Sequence, residues 1–135
     1  MSNALFSVYC DGLWNNTAGV AWASDTIKAV LCSAGYTPNI AADAHITDIP
    51  GGDIVSTATV TGLSVASRAV QISGTVTFTS VTGAVCTQVV LYKDTGTPST
   101  SPLLALFDTF TSGMPCTPTG ANIVLTLDAS GIASL

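Results

Sequence analysis

All eight acidic residues of this chain are Asp; Glu is absent. Only Lys28, Arg68 and Lys93 oppose them. Glu and Lys are common on the solvent face of helices, whereas the Thr, Val and Ser that crowd this sequence fit pleated strands and turns. The chain therefore predicts an all-β fold with an exterior of hydroxyls and small apolar groups. Its 135 residues suit one ordinary domain, able to bury roughly two-thirds of the surface its unfolded form exposes. Residues 1–135 are accordingly expected to form a single β domain. Within it, residues 1–20 supply an arm and first strand offered for subunit contacts.

Apolar runs of strand length recur between turn signals. The expected strands are Leu5 to Tyr9, Thr26 to Cys32, Asp53 to Thr61, Val65 to Ile72, Thr75 to Val81, Val85 to Tyr92, Leu103 to Phe107, Ile123 to Leu127 and a short Ile132 to Leu135. Gly74 either separates two of these strands or forms a bulge within a longer one. From Asp53 to Thr61 the residues alternate, which places Ile54, Ser56, Ala58 and Val60 on one face. Val85 to Tyr92 is rich in β-branched residues and is the strongest core candidate. The stretch Ile40 to Ile46 has helical spacing, with Asn39 as its cap and Pro50-Gly51-Gly52 as its end, so at most one short helix is expected, near residues 40–47. Short strands, regular turns and almost no helix favour an antiparallel β-sandwich or barrel, with a jelly-roll among the arrangements allowed.

Charged residues make up 8% of the chain, against roughly a quarter of a typical soluble domain. At a net charge of −5 colloidal repulsion is modest, and an uncharged surface of this kind associates unless a partner covers it. The expectation is an assembly subunit and a homo-oligomer. Three scattered cations offer no footprint for phosphates, which disfavours nucleic acid as a partner. They also disfavour adsorption to an anionic membrane, and Asp, Asn, Gly and Pro interrupt every apolar run short of bilayer length. The segment Met1 to Asp11 lacks the basic and apolar regions of a secretory signal, so synthesis in a cytoplasm is expected. Cys10, Cys32, Cys86 and Cys116 contain no Cys-x-x-Cys pair. They read as small buried hydrophobes or, in an oxidising setting, as one or two disulfides whose pairing stays open.

Sharper chemistry finds little support in the residues. His45 with Asp43 and Asp48 resembles part of a hydrolytic triad, yet no nucleophile elbow accompanies it, and a helix-end histidine is the preferred reading. Pairs of Asp would suit a glycosidase, but the Asps sit beside turns, where their carboxylates satisfy backbone donors. No Asp-x-Asp-x-Asp-Gly loop for calcium occurs, so no metal is assigned. Trp14, Trp22, Tyr36 and Tyr92 make either a sugar-stacking platform or, as preferred, core and interface. Asn15-Asn16-Thr17 is a glycosylation sequon without a secretory context. No catalytic residue and no cofactor is assigned, and the chain is read as non-enzymatic. The candidate interaction loop is Thr95, Gly96, Thr97, Pro98, Ser99, Thr100 and Ser101, polar and exposed, with Asn15-Asn16 as a second point of contact.

Taken in order, Asp25-Thr26-Ile27-Lys28-Ala29-Val30-Leu31, Tyr36-Thr37-Pro38-Asn39, His45, Asp48-Ile49-Pro50, Val81-Thr82-Gly83, Leu91-Tyr92-Lys93-Asp94-Thr95-Gly96-Thr97, Ser101-Pro102-Leu103-Leu104-Ala105, Asp108, Pro115, Thr117-Pro118 and Gly120 follow a recognisable pattern. The pattern resembles a family of small tailed-bacteriophage virion structural proteins, and it runs from residue 20 to residue 135. Departures are the low charge, the four cysteines, and Leu125 and Leu127 where the family carries an aromatic in the last long strand. The resemblance implies a virion protein assembled in the host cytoplasm, with no catalytic residues to carry over. Its expected role is that of a capsid decoration or cement protein bound to the major capsid protein or other virion subunits. Threefold capsid sites would suit a trimer. A tail or tail-fibre adaptor that touches host glycans is the alternative, and a tail-associated hydrolase is a third.

Overall fold

Val, Leu and Ile recur at both parities in two stretches, so neither can leave one face to water. These stretches form the middle of the protein: β2 (Ile27–Ser33) and β7 (Cys86–Lys93). The structure is a computed structural model that describes residues 4–16, 19–66, 69–72, 75–107, 116–126 and 133–134. In it β2 and β7 pair antiparallel, with Val30 opposite Val90 and Leu31 opposite Val89. On the far side of β2 lies β3 (Ile54–Val60). Beyond β7 come β8 (Leu103–Phe107) and β1 (Ala4–Leu5), which completes a five-stranded sheet in the order β1-β8-β7-β2-β3.

Two smaller sheets accompany it. One is three-stranded, with β5 (Ala69–Ile72) between β10 (Ala133–Ser134) and β4 (Leu63–Ala66); the other pairs β6 (Thr75–Phe78) with β9 (Ile123–Thr126). The strands of all three sheets pair antiparallel. The protein is thus the all-β, antiparallel, sandwich-like fold that its composition predicts. Among the described residues no helix is long and apolar enough to cross a membrane.

Both faces of the central sheet are covered, by different means. Ile27, Ala29, Leu31, Val89 and Leu91 pack in one layer with Val76 and Phe78 of β6 and Leu125 of β9, joined by Trp22, Val60 and Val70. Val30, Cys32, Val90 and Leu106 pack in a second layer with Phe6 and with Tyr36, Ile46 and Ile49 from the connection between β2 and β3. One side is therefore sheet on sheet, the other sheet on loop. Full burial of a Leu, Val or Phe side chain is worth about 1.5–3 kcal/mol, so these two layers dominate stability.

The helix is not where its spacing signal lies. Residues 40–47 hold single turns: Ala42 and Asp43 N–H donate to the Asn39 carbonyl at 3.0 and 2.8 Å, and a 3-10 turn spans Ile46–Asp48. His45 between them is extended and bridges to Pro102, which breaks any continuous helix. The α-helix is instead α1 (Ser7–Trp14), in the region expected to be the first strand. Its first turn has no side-chain cap and no acidic residue, so packing rather than local signals holds it. Phe6, Tyr9 and Leu13 recur at helical spacing; Phe6 and Tyr9 are buried, and the Trp22 indole donates to the Tyr9 hydroxyl at 2.6 Å. Asn16, at φ +57°, ends the helix in the left-handed region that Asn tolerates.

A second departure concerns Val65 to Ile72, expected as one strand. The run belongs to two strands, β4 and β5, with Leu63 opposite Ile72 and Ala66 opposite Ala69. Elsewhere the expected strands shift by one residue or so at their ends, except that the strand expected over Thr75 to Val81 stops three residues early, at Phe78. Ser112-Gly113, whose residue types read as a turn, lies outside the described residues.

Candidate functional site

The loop from Thr95 to Ser101 is anchored at both ends. At its start the Asp94 N–H donates to the Thr26 carbonyl at 2.9 Å, its carboxylate accepts the Gly96 N–H at 2.9 Å, and the Lys28 ammonium lies 2.8 Å away. Gly96 sits at φ +88°, a conformation that a side chain would strain. At its end Ser101 is 1% exposed, although the loop around it is open to solvent. The Ser101 hydroxyl accepts the Thr95 N–H at 3.1 Å and donates to the Thr97 carbonyl at 2.9 Å. Between the anchors a 3-10 turn spans Pro98–Thr100, and the Thr95 and Thr100 hydroxyls meet at 2.6 Å.

The loop is also stitched to a distant segment. Ile46 N–H donates to the Ser101 carbonyl at 3.0 Å, and Leu103 N–H to the Ala44 carbonyl at 2.9 Å. Beside this seam is an open depression of about 380 Å³, with Ile46, Ile49, Ile54, Tyr92 and Pro98 among its lining. A loop whose polar groups already satisfy one another loses little conformational freedom when a partner covers it. The arrangement suits contact with a protein surface: an apolar hollow that takes a side chain, rimmed by fixed hydroxyls.

The second point named from the sequence lies at the same end of β7. Asn16, Leu13 and Val20 line a depression of about 400 Å³ together with Asp25 and Lys93. The Lys93 ammonium spans it, donating to the Gly19 carbonyl at 2.6 Å and lying 3.2 Å from Asp25. Lys93 lines one depression and Asp94, the next residue, lines the other, so both depressions lie at the same end of β7. Trp14, on the helix bordering this end, is 86% exposed. Thr17 of the sequon lies outside the described residues.

The remaining candidates are placed as follows. Trp22, Tyr36 and Tyr92 are buried, which leaves Trp14 as the exposed member of the quartet and removes the four-ring sugar platform. Asp43 accepts the Tyr36 hydroxyl at 2.8 Å and the Asn39 N–H at 2.9 Å; Asp48 accepts the Ala44 and His45 N–H groups at 2.7 and 3.0 Å. Both carboxylates beside His45 therefore serve turns, as their positions predict. Among the described residues no group of three or more His, Cys, Asp or Glu side chains is arranged to hold a metal ion.

The chain matches no protein-family model and no curated protein. The tailed-phage likeness thus rests on the order of strand and turn residues.

Backbone donors and cations hold several carboxylates below their ordinary range. For Asp48 the cause is the two N–H groups of Ala44 and His45; for Asp94 it is Lys28 and then the Gly96 N–H; for Asp25 it is the Ala21 N–H and then Lys93. A carboxylate depressed on folding stabilises the fold above its unfolded value, and that contribution is lost as pH falls through the folded one. Thermal unfolding followed by circular dichroism should therefore give a midpoint that is level near neutrality and falls below roughly pH 4. A midpoint that stays level to about pH 2 would show that these turns contribute nothing through charge.

Proposed function

We propose that this chain is a non-enzymatic structural subunit of a tailed-phage virion, seated on the head as a decoration protein. The observation that carries the reading is the low-charge end of β7, which carries the prearranged Thr95 to Ser101 loop and is bordered by α1 with its exposed Trp14. Its ammonium groups are already matched to Asp25 and Asp94, so covering it strands no unpaired cation. Hydroxyls that keep their internal hydrogen bonds are buried at little desolvation cost. Such contacts are individually modest, but a lattice repeats them, so that expansion of the shell must break many together. Adhesion between neighbouring capsid subunits is then the mechanism. Threefold lattice positions favour trimers of the chain.

The test is a count of this protein against the major capsid protein in purified particles of the phage that encodes it. A copy number equal to the capsid protein, or a simple fraction set by the lattice, is expected. A few copies per particle would overturn the head assignment in favour of the tail, and absence from particles would overturn the virion reading altogether. Replacing Thr97 to Ser101 with a Gly-Ser linker should abolish incorporation while the purified chain stays folded by circular dichroism. Undiminished incorporation would remove the loop from the interface.

A further inference from the structure

We propose that Cys86 and Cys116 form a cross-strand disulfide when the protein meets an oxidising environment, a covalent site independent of the virion reading. The two residues face each other across an isolated antiparallel bridge. Cys86 N–H donates to the Cys116 carbonyl at 2.9 Å and Cys116 N–H to the Cys86 carbonyl at 3.0 Å. Residues that exchange both backbone bonds have Cα atoms about 5.5 Å apart, within the separation that disulfides favour. Directly opposed residues also send their Cβ atoms to the same face. The placement is reinforced along the chain: Val81 N–H donates to the Ala121 carbonyl and Gly120 N–H to the Val81 carbonyl, at 3.1 and 2.7 Å. The bridge thus extends the antiparallel pairing that begins between β6 and β9, after a shift of one residue in register at Val81.

The other cysteines are placed elsewhere. Cys32 packs in the second core layer, against Phe6 and Val30, whereas Cys86 and Cys116 belong to the first. Cys10 lies on α1. All four are free thiols in this structure. Cys86 is wholly buried and Cys116 half-buried, so Cys116 is the thiol that an external oxidant reaches. With glutathione disulfide as oxidant, the Cys116 thiolate attacks one of its sulfurs and expels a glutathione thiolate. Cys86, deprotonated, then attacks the Cys116 sulfur of the mixed disulfide and expels the second glutathione. The protein gives up two electrons and two protons, and one glutathione disulfide becomes two glutathiones. Burial and the adjacent Cys116 push the Cys86 thiol up to about 12, so closure should quicken as pH rises.

The reduced protein would be incubated with glutathione disulfide, and then analysed by intact mass and by peptide mapping after alkylation in denaturant. The expected product lacks two hydrogens, carries a Cys86–Cys116 linked peptide pair, and has Cys10 and Cys32 alkylated. Closing a loop of about 30 residues should raise the unfolding midpoint by roughly 10 °C, and Cys116→Ala, a change at a half-buried position, should abolish that rise. A persistent glutathione adduct on Cys116, a link through Cys10 or Cys32, or four free thiols after prolonged exchange would each overturn the assignment. So would a Cys86–Cys116 link that lowers the midpoint, because the native bridge would then not accommodate it.

Discussion

Phe78→Ala is expected to destabilise the protein by about 3–5 kcal/mol. Phe78 is wholly buried at the end of β6, opposite Ile123 of β9. It lies in the core layer that also holds Ile27, Leu31 and Leu91 of the central sheet and β7's Val89. A pair of four-residue strands is not stable by itself, so β6 and β9 hold their place by the side chains they send into that layer. Removing the ring deletes its burial and leaves a cavity that the surrounding strands cannot fill without moving. In denaturant titrations the midpoint should fall sharply with the slope unchanged. Since a domain of this size has a total stability of about 5–15 kcal/mol, the variant would lie close to unfolding. A loss below about 1 kcal/mol would mean that the two-stranded sheet is not docked on the central one.

Gln88→Leu is expected to cost about 2–3 kcal/mol although it places an apolar residue in the interior. Gln88 is buried in the middle of β7, and its amide nitrogen donates to the Tyr36 carbonyl at 2.6 Å and the Ser33 carbonyl at 3.3 Å. Those carbonyls belong to the turn that follows β2 and sets Tyr36 in the second core layer. Leucine would leave both acceptors buried without that donor. The effect should also reach the candidate site: Tyr36 donates to Asp43, and the segment just beyond supplies Ala44 and Ile46, whose backbone is bonded to Leu103 and Ser101. Hydrogen exchange should show faster opening across residues 36–49 than across β8. A variant as stable as the parent, with unchanged exchange there, would show that the turn is held by other contacts.

Much of the central sheet was legible because its residues obey a local rule. β2 and β7 are apolar at both parities and proved covered on both faces. In β3 the face carrying Ser56, Ala58 and Val60 is more buried than Thr57 and Thr59, as the alternation implies. The start of the candidate loop was legible too, since Asp94-Thr95-Gly96 combines a side-chain acceptor with a residue free to adopt positive φ. Its far anchor was not. Nothing local distinguishes Ser101 from Ser99, yet only Ser101 is buried and bonded through its carbonyl to a segment more than fifty residues earlier.

The misplaced helix has the same origin. Residues 40–46 have the better helical composition, but His45 is drawn into an extended bridge with Pro102, and the turns around it are closed by Asp43 and Asp48. Residues 7–14 mix β-branched, aromatic and glycine residues and have no cap, yet the helix lets Tyr9 meet Trp22 while Phe6 fills the second layer.

From its own residues the chain determined that it would be an antiparallel β protein with a sparsely charged surface, because periodicity, turn chemistry and charge are local properties that survive any arrangement of the strands. Only the tertiary structure decided where the helix forms, which cysteines face each other, and that the Thr95 to Ser101 loop is held by the distant segment Ala44 to Ile46. Those outcomes depend on contacts between distant segments, whose free energies outweigh the few tenths of a kcal/mol by which local propensities differ.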